Sequence, residues 1–209
     1  MQPVLPVQFD RSRLALTILK LAGWRLQFNG LPAQQGVIIG YPHTSNWDFV
    51  VMVLVKWSVG LQVQFLAKHS LFRIPLFGRW LAWLGGVPID RTSPQGVVGN
   101  LLNMFKQHQA QDRYLWLALS PEGTRRITDG WRSGFYQLAM LANVPLCMVR
   151  IDYGTKCVDL THFMQLTGDE DADYAHIANV YQGVTAFHAN QAAPIRPIKT
   201  ANLPTRMQK

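Results

Sequence analysis

Short apolar runs alternate with longer amphipathic stretches along most of the chain. Val37–Gly40 is apolar and ends at Gly40 and Pro42, which predicts a strand feeding a loop. Trp47–Trp57 then predicts a helix, Leu61–Ala67 a buried strand, Leu76–Leu84 a short helix after Pro75, and Val87–Ile89 a short strand. Ser93 reads as an N-cap with Pro94 at the first helical position. The helix it opens runs to about Gln109, with Val98, Leu101, Leu102 and Phe105 on one face. Tyr114–Leu119 predicts a strand, and Phe135, Leu138, Ala139 and Ala142 mark a helix closed by Asn143. Leu146–Ile151 and Lys156–Phe163 predict two more strands. Asp169, Glu170, Asp171 and Asp173 precede a helix over about Tyr174–Ala189, where acids compensate the helix dipole. Strands alternating with helices predict an α/β fold: a single domain over residues 1–209 with a mostly parallel central sheet flanked by helices. Residues 1–30 form an N-terminal amphipathic segment, and the Pro-punctuated tail over 194–209 is expected to be loosely ordered.

Three stretches bear on membranes. Phe49–Ala67 has spanning length, but Lys56 sits near its centre and Gly60 breaks it, so it reads as a buried helix followed by a buried strand. In Leu14–Gln27, Arg13, Thr17, Lys20 and Trp24 share one helical stripe, and Leu14, Ile18, Leu21 and Ala22 share another. That pattern suits a helix lying in a lipid interface and equally a helix packed on its own domain. In Leu71–Leu84, Phe72, Phe77, Trp80 and Trp83 are crowded around Arg73 and Arg79. Too many large apolar side chains share that stretch for one side to bury, which predicts a membrane-facing surface.

Composition narrows the function. Charged residues are only 15% of the 209 and hydrophobic ones 48%, which excludes a disordered chain. The net charge of +8 is concentrated in the first two-thirds: +6 over 1–91, +3 over 92–150 and −1 beyond. Such a field attracts phosphate, anionic lipid or nucleic acid. No RNP motif, zinc pattern or basic run supports nucleic acid. Cys147 and Cys157 are the only cysteines and stand in no CxxC spacing, so neither a disulfide framework nor a thiolate metal site is expected. No secretory pattern opens the chain, and no G-x-S-x-G elbow marks a serine hydrolase.

Candidate chemistry gathers at the ends of predicted strands. His43 and Asp48 are five apart, about 500° on a continuous helix, so they meet only if His43 stands in the turn and Asp48 in the first helical turn. Asp48 would then fix one imidazole nitrogen and leave the other to take a proton from a hydroxyl. Ser45-x-x-Asp48 also fits a capping box, which explains Asp48 without catalysis. The chain has two glutamates, and one of them opens Glu122-Gly123-Thr124-Arg125-Arg126 after a strand. There Gly123 permits close backbone approach, Thr124 offers a hydroxyl and Arg125 a planar fork for phosphate. Arg91 follows a short strand, and Lys68 ends another.

Four blocks in order resemble the glycerolipid acyltransferase family, best known for 1-acylglycerol-3-phosphate acyltransferases: H-T-S-N-W-D at His43–Asp48, G-V-P-I-D-R at Gly86–Arg91, S-P-E-G-T-R at Ser120–Arg125 and V-P-L-C-M-V at Val144–Val149. The resemblance implies acyl transfer from acyl-CoA or acyl-carrier protein to a lipid hydroxyl, most readily that of 1-acyl-sn-glycerol 3-phosphate. Glycerol 3-phosphate or a lyso-aminolipid is the alternative acceptor, and a membrane-surface binding module without catalysis is the alternative class. Carried over, His43 is the base and Asp48 its orienter. Lys68, Arg91, Glu122, Gly123, Thr124 and Arg125 bind the acceptor phosphate. No metal, cofactor or covalent acyl-enzyme is implied. The partners implied are the lipid acceptor, the thioester donor and a membrane surface, with no nucleic acid; the oligomeric state stays open. Pro42 stands where the family commonly has Asn, Pro88 where it has Phe, and Ser120 often where it has Phe. These departures bear on the acceptor rather than the reaction. About 36 residues precede the first strand, so monotopic or peripheral attachment at the cytoplasmic face of a membrane is expected rather than a span.

Overall fold

A computed structural model describes residues 10–89 and 96–198. In chain order the elements are α1 (Arg13–Leu21), β1 (Arg25–Gln27), β2 (Gln35–Tyr41), α2 (Asn46–Val59), β3 (Val63–Lys68), α3 (His69–Phe72), α4 (Phe77–Trp83), β4 (Gly86–Ile89), α5 (Gly96–Ala110), β5 (Leu115–Leu119), α6 (Gly134–Ala142), β6 (Leu146–Asp152), β7 (Cys157–Met164) and α7 (Glu170–Val180). Seven strands form one sheet in the order β1-β7-β6-β2-β5-β3-β4. The five strands from β6 to β4 run parallel, while β7 lies antiparallel to β6 and β1 parallel to β7. The expected mostly parallel α/β sheet is therefore present.

Strand β2 is the centre and is buried on both faces, as a parallel core strand must be. Val37 and Ile39 point to one layer, where they pack with Phe105 of α5, Leu138 of α6 and Ile177 of α7. Ile38 points to the other, with Leu19 of α1, Val51 and Val55 of α2, and Trp116. Gly36 pairs with Trp116 on the neighbouring strand. A methyl group at residue 36 would collide with the Trp116 ring, so glycine there makes room for the indole.

Four expectations change. Leu14–Gln27 is not one helix: α1 stops at Leu21, Gly23 turns the chain at φ +80°, and residues 25–27 join the sheet edge against β7. The last helix is Glu170–Val180 rather than Tyr174–Ala189, because Asp169 caps it through the Ala172 amide and places the acids inside its first turn. Leu76–Leu84 starts its helix at Phe77, after a separate short turn, α3. Residues 194–198 are held rather than loose: Trp131 donates to the Arg196 carbonyl at 2.7 Å, and Ile198 donates to the Trp131 carbonyl at 2.9 Å. The expected Ser93–Pro94 cap, Arg91 and residues 199–209 lie outside the described residues.

Candidate active site

The carboxyl ends of β2 and β5 are adjacent in the sheet, and both deliver the site, as open α/β sheets tend to do. Beyond Tyr41 the chain turns through a cis Tyr41–Pro42 bond and enters α2 at Asn46. His43 stands in the turn and Asp48 in the first helical turn. His43 Nδ1 lies 3.3 Å from Asp48 Oδ2. The same oxygen accepts from the Thr44 and Ser45 amides, both at 2.8 Å. Ser45 also caps α2, so the capping box and the orienting role coexist on one carboxylate. Asp48 is 1% exposed and His43 is 24% exposed, which leaves the imidazole reachable above a buried anion. Burial pushes the Asp48 carboxyl upward, but hydrogen bonds from His43, the Ser45 amide and Tyr153 outweigh it and hold the group below its ordinary value.

Two residues distant in sequence complete this frame. Glu122, after β5, is fully buried: one oxygen accepts from the His43 amide at 2.8 Å and the other from the Ala193 amide at 3.0 Å. Burial raises its pKa, against these bonds. Tyr153, after β6, donates to Asp48 Oδ1 at 2.7 Å. The segment near Ala193 is fastened further by Tyr41, whose hydroxyl donates to the Ala193 carbonyl at 3.0 Å. The Tyr41 phenol is pushed up to about 12 by burial and by Glu122.

Two cavities meet at His43. One, of about 190 Å³, is almost wholly apolar and is lined by His43, Asp48, Phe49, Met52, Phe65 and Lys56 among others. It follows α2 from Asp48 to Lys56, about 12 Å at the helical rise. Lys56, whose ammonium bonds the Leu84 carbonyl, lies at its far end and has its pKa lowered by burial. The second cavity has a more polar lining than the first, with His43, Ser120, Gly123, Thr124, Arg125 and Arg126 beside Leu66, Ile89 and Leu119. Ser120 lines both, and its hydroxyl has no partner among the described residues.

His43 and Asp48 are thus together, and Gly123, Thr124 and Arg125 share a cavity with His43. Glu122 departs from its expected place among the phosphate ligands. Its carboxylate is turned inward onto two amides, and a second anion is a poor neighbour for phosphate. Lys68 is exposed at the end of β3 and lies outside the lining of that cavity. Arg126 lines it beside Arg125, and the run of two arginines was the available signal. Tyr153 had none, because 105 residues separate it from Asp48. Phe72 is half-buried, while Phe77, Trp80 and Trp83 are exposed, Trp83 to 70%. On α1 the buried residues are Ala15 and Leu19, and the apolar stripe of Leu14, Ile18 and Leu21 faces outward, Leu21 to 84%. Among the described residues no helix is long and apolar enough to cross a membrane.

The His43/Asp48 pair at the end of the central strand β2 and the basic loop after β5 thus stand side by side at one end of a mostly parallel sheet. The model of the acyltransferase family matches residues 25–152, and the chain belongs to that family. It is 31% identical over 116 residues to a 1-acyl-sn-glycerol-3-phosphate acyltransferase of Streptococcus pneumoniae, covering 55% of this chain and 41% of that one. It is 27% identical over 136 residues to a protein of the same name from Bacillus subtilis, covering 62% and 63%. The chain thus spans about two fifths and just under two thirds of these curated relatives. Its fold is similar to the crystal structure of the 1-acyl-sn-glycerophosphate acyltransferase of Thermotoga maritima, with TM-score 0.53, 15% identity, and coverage of 81% of this chain and 74% of that one.

Proposed function

We propose that the protein transfers a fatty acyl group from acyl-CoA or acyl-carrier protein to the free hydroxyl of a lysophospholipid. The names of its relatives favour 1-acyl-sn-glycerol 3-phosphate as acceptor. One observation carries the reading: His43, with Nδ1 turned to Asp48, stands where an apolar cavity meets an arginine-lined one. The acyl chain lies in the apolar cavity along α2. The acceptor phosphate lies against Arg125, Arg126, the Thr124 hydroxyl and the Gly123 backbone, and the family resemblance adds Arg91 as a further cation. His43 Nε2 takes the proton of the acceptor hydroxyl as its oxygen attacks the thioester carbon. The tetrahedral centre collapses, the carbon–sulfur bond breaks, and the imidazolium returns the proton to the thiolate. Asp48 holds the tautomer and stabilises the imidazolium; no covalent acyl-enzyme, cofactor or metal is needed in this scheme. The enzyme works from a membrane surface, which we assign to the cytoplasmic face. The outward apolar faces of α1 and α4 support peripheral docking, with Arg13, Lys20, Arg73 and Arg79 nearby for anionic headgroups.

The test is a panel of lysophosphatidate, glycerol 3-phosphate and a lyso-aminolipid as acceptors, each with acyl-CoA and acyl-carrier-protein donors. Lipid mass spectrometry after expression of native protein and of His43→Ala accompanies it. Esterified lysophosphatidate from the native protein alone supports the reading. Equal lipid profiles for the two proteins, with no product from any acceptor, would overturn it.

A further inference from the structure

Asp48 carries its contacts asymmetrically. Oδ2 faces His43 and two backbone amides, all from its own loop. Oδ1 is turned to Tyr153, which arrives from the far side of β2 at the end of β6. A buried carboxylate oxygen left without a donor is costly, and a carboxylate tied through one oxygen only can still rotate. The phenol removes both problems. Among the described residues, the titratable groups facing Asp48 are His43, Tyr153 and Glu122.

Tyr153 is itself firmly placed. Its amide donates to the Thr185 carbonyl at 2.9 Å. Asp152 beside it accepts from the Gly154 amide at 3.0 Å, the Thr185 amide at 3.1 Å and the Thr155 hydroxyl at 2.6 Å. The ring is clamped edge-on between Trp24 and Phe187, with centroids at 4.9 and 5.2 Å. Burial and the Asp48 charge push the phenol well above its ordinary range, so it stays a donor at any working pH. Tyr153 lines neither of the two cavities that meet at His43. Its route to the chemistry therefore runs through Asp48.

We propose that Tyr153 is a positioning residue for the transfer reaction: its hydroxyl locks the Asp48 carboxylate in the rotation that keeps the other oxygen on His43. The inference rests on His43 being the base. With Oδ1 occupied, Oδ2 stays in line with Nδ1, the proton stays on that nitrogen, and Nε2 is left free to accept. Loss of the hydroxyl frees the carboxylate to turn without altering either substrate cavity.

The test is Tyr153→Phe, which keeps the ring between Trp24 and Phe187. The kcat falls about 10-fold, the size of a partly lost charge-assisted hydrogen bond, while KM for donor and acceptor stays within about twofold. In an Asp48→Asn background the same change costs little more, because the two residues act as one unit. The downfield proton resonance of His43 Nδ1–H moves in Tyr153→Phe, and this readout is available whether or not the right acceptor has been found. A wild-type chain inactive on every acceptor counts against the acyl-transfer reading and leaves the resonance to judge Tyr153. A folded Tyr153→Phe variant with native kcat and an unmoved resonance overturns the positioning role.

Discussion

His43 depends on contacts from two directions. Its imidazole faces Asp48, and its amide is held by Glu122. His43→Ala is expected to lower transfer by about 10²–10⁴-fold, the usual contribution of a general base. Initial rates at saturating acceptor check this. Glu122→Gln makes a different error. The amide accepts from one of the two backbone N–H groups and points its own N–H groups at the other. The expected cost is about 1–3 kcal/mol of stability, read as a lower denaturant midpoint, together with reduced kcat as His43 loses its anchor. A Gln variant with unchanged midpoint would contradict the anchoring role. Arg125→Lys replaces a fork by a point charge and is expected to raise KM for the acceptor while leaving KM for the donor unchanged.

At the scale of elements, packing is tight where β2 meets β5. Gly36→Ala drives a methyl into the buried Trp116 ring, whose indole N–H is fixed on the Ala33 carbonyl at 3.0 Å. The ring has no free direction, so overpacking costs about 1–3 kcal/mol, measurable as a fall in thermal midpoint. Helices α1 and α4 show the opposite condition, with large apolar side chains directed outward. Trp80→Ser plus Trp83→Ser is expected to weaken binding to anionic liposomes, with only a small fall in thermal midpoint from the lost ring contacts to Phe77 and Trp57. Added salt should weaken binding further, because each cation near the surface contributes about 1 kcal/mol. Sedimentation with vesicles of stated anionic content reads both effects, and indifference to salt and to the tryptophans would remove these faces from the docking surface.

For the molecule as a whole, buried carboxylates set the acid limit. Asp48, Asp152 and Asp173 are all buried, which pushes them up, and all are brought below their ordinary value by hydrogen bonds, Asp173 from Tyr136 at 2.7 Å and from Thr167. A depressed native pKa means that the unfolded chain binds protons first. The stability these groups give is complete above their unfolded value near ~4 and is lost as pH falls through the lower native values. Glu122 has the opposite sign: its raised pKa makes its ionisation oppose folding as pH climbs from its unfolded to its native value. Below pH ~4 Glu122 is protonated in both states and drops out, so the denaturant midpoint should fall there as the three aspartates lose their advantage, and Asp173→Asn should shallow that fall. A midpoint that is flat or rises on acidification below pH ~4 would disprove it.

The chain's own pattern determined the order of β2 to β7, the turn-then-helix setting of His43 and Asp48, and the basic loop after β5. Each of these is written in neighbours a few residues apart, through hydrophobic period, glycine and proline, and capping residues. The pattern could not say that Leu14–Gln27 breaks at Gly23 into a helix and an edge strand, because that strand exists only by pairing with β7, about 130 residues later. Nor could it say which way Glu122 points. Its neighbours suggest a phosphate loop, and only the approach of the His43 and Ala193 amides turns it inward. Tyr153 is the furthest case, since nothing in its own sequence neighbourhood marks it. Local physics fixes which elements form and where their ends fall. Which buried donor meets which buried acceptor is decided only when the sheet closes, because an unpaired polar group is costly only once water has been excluded.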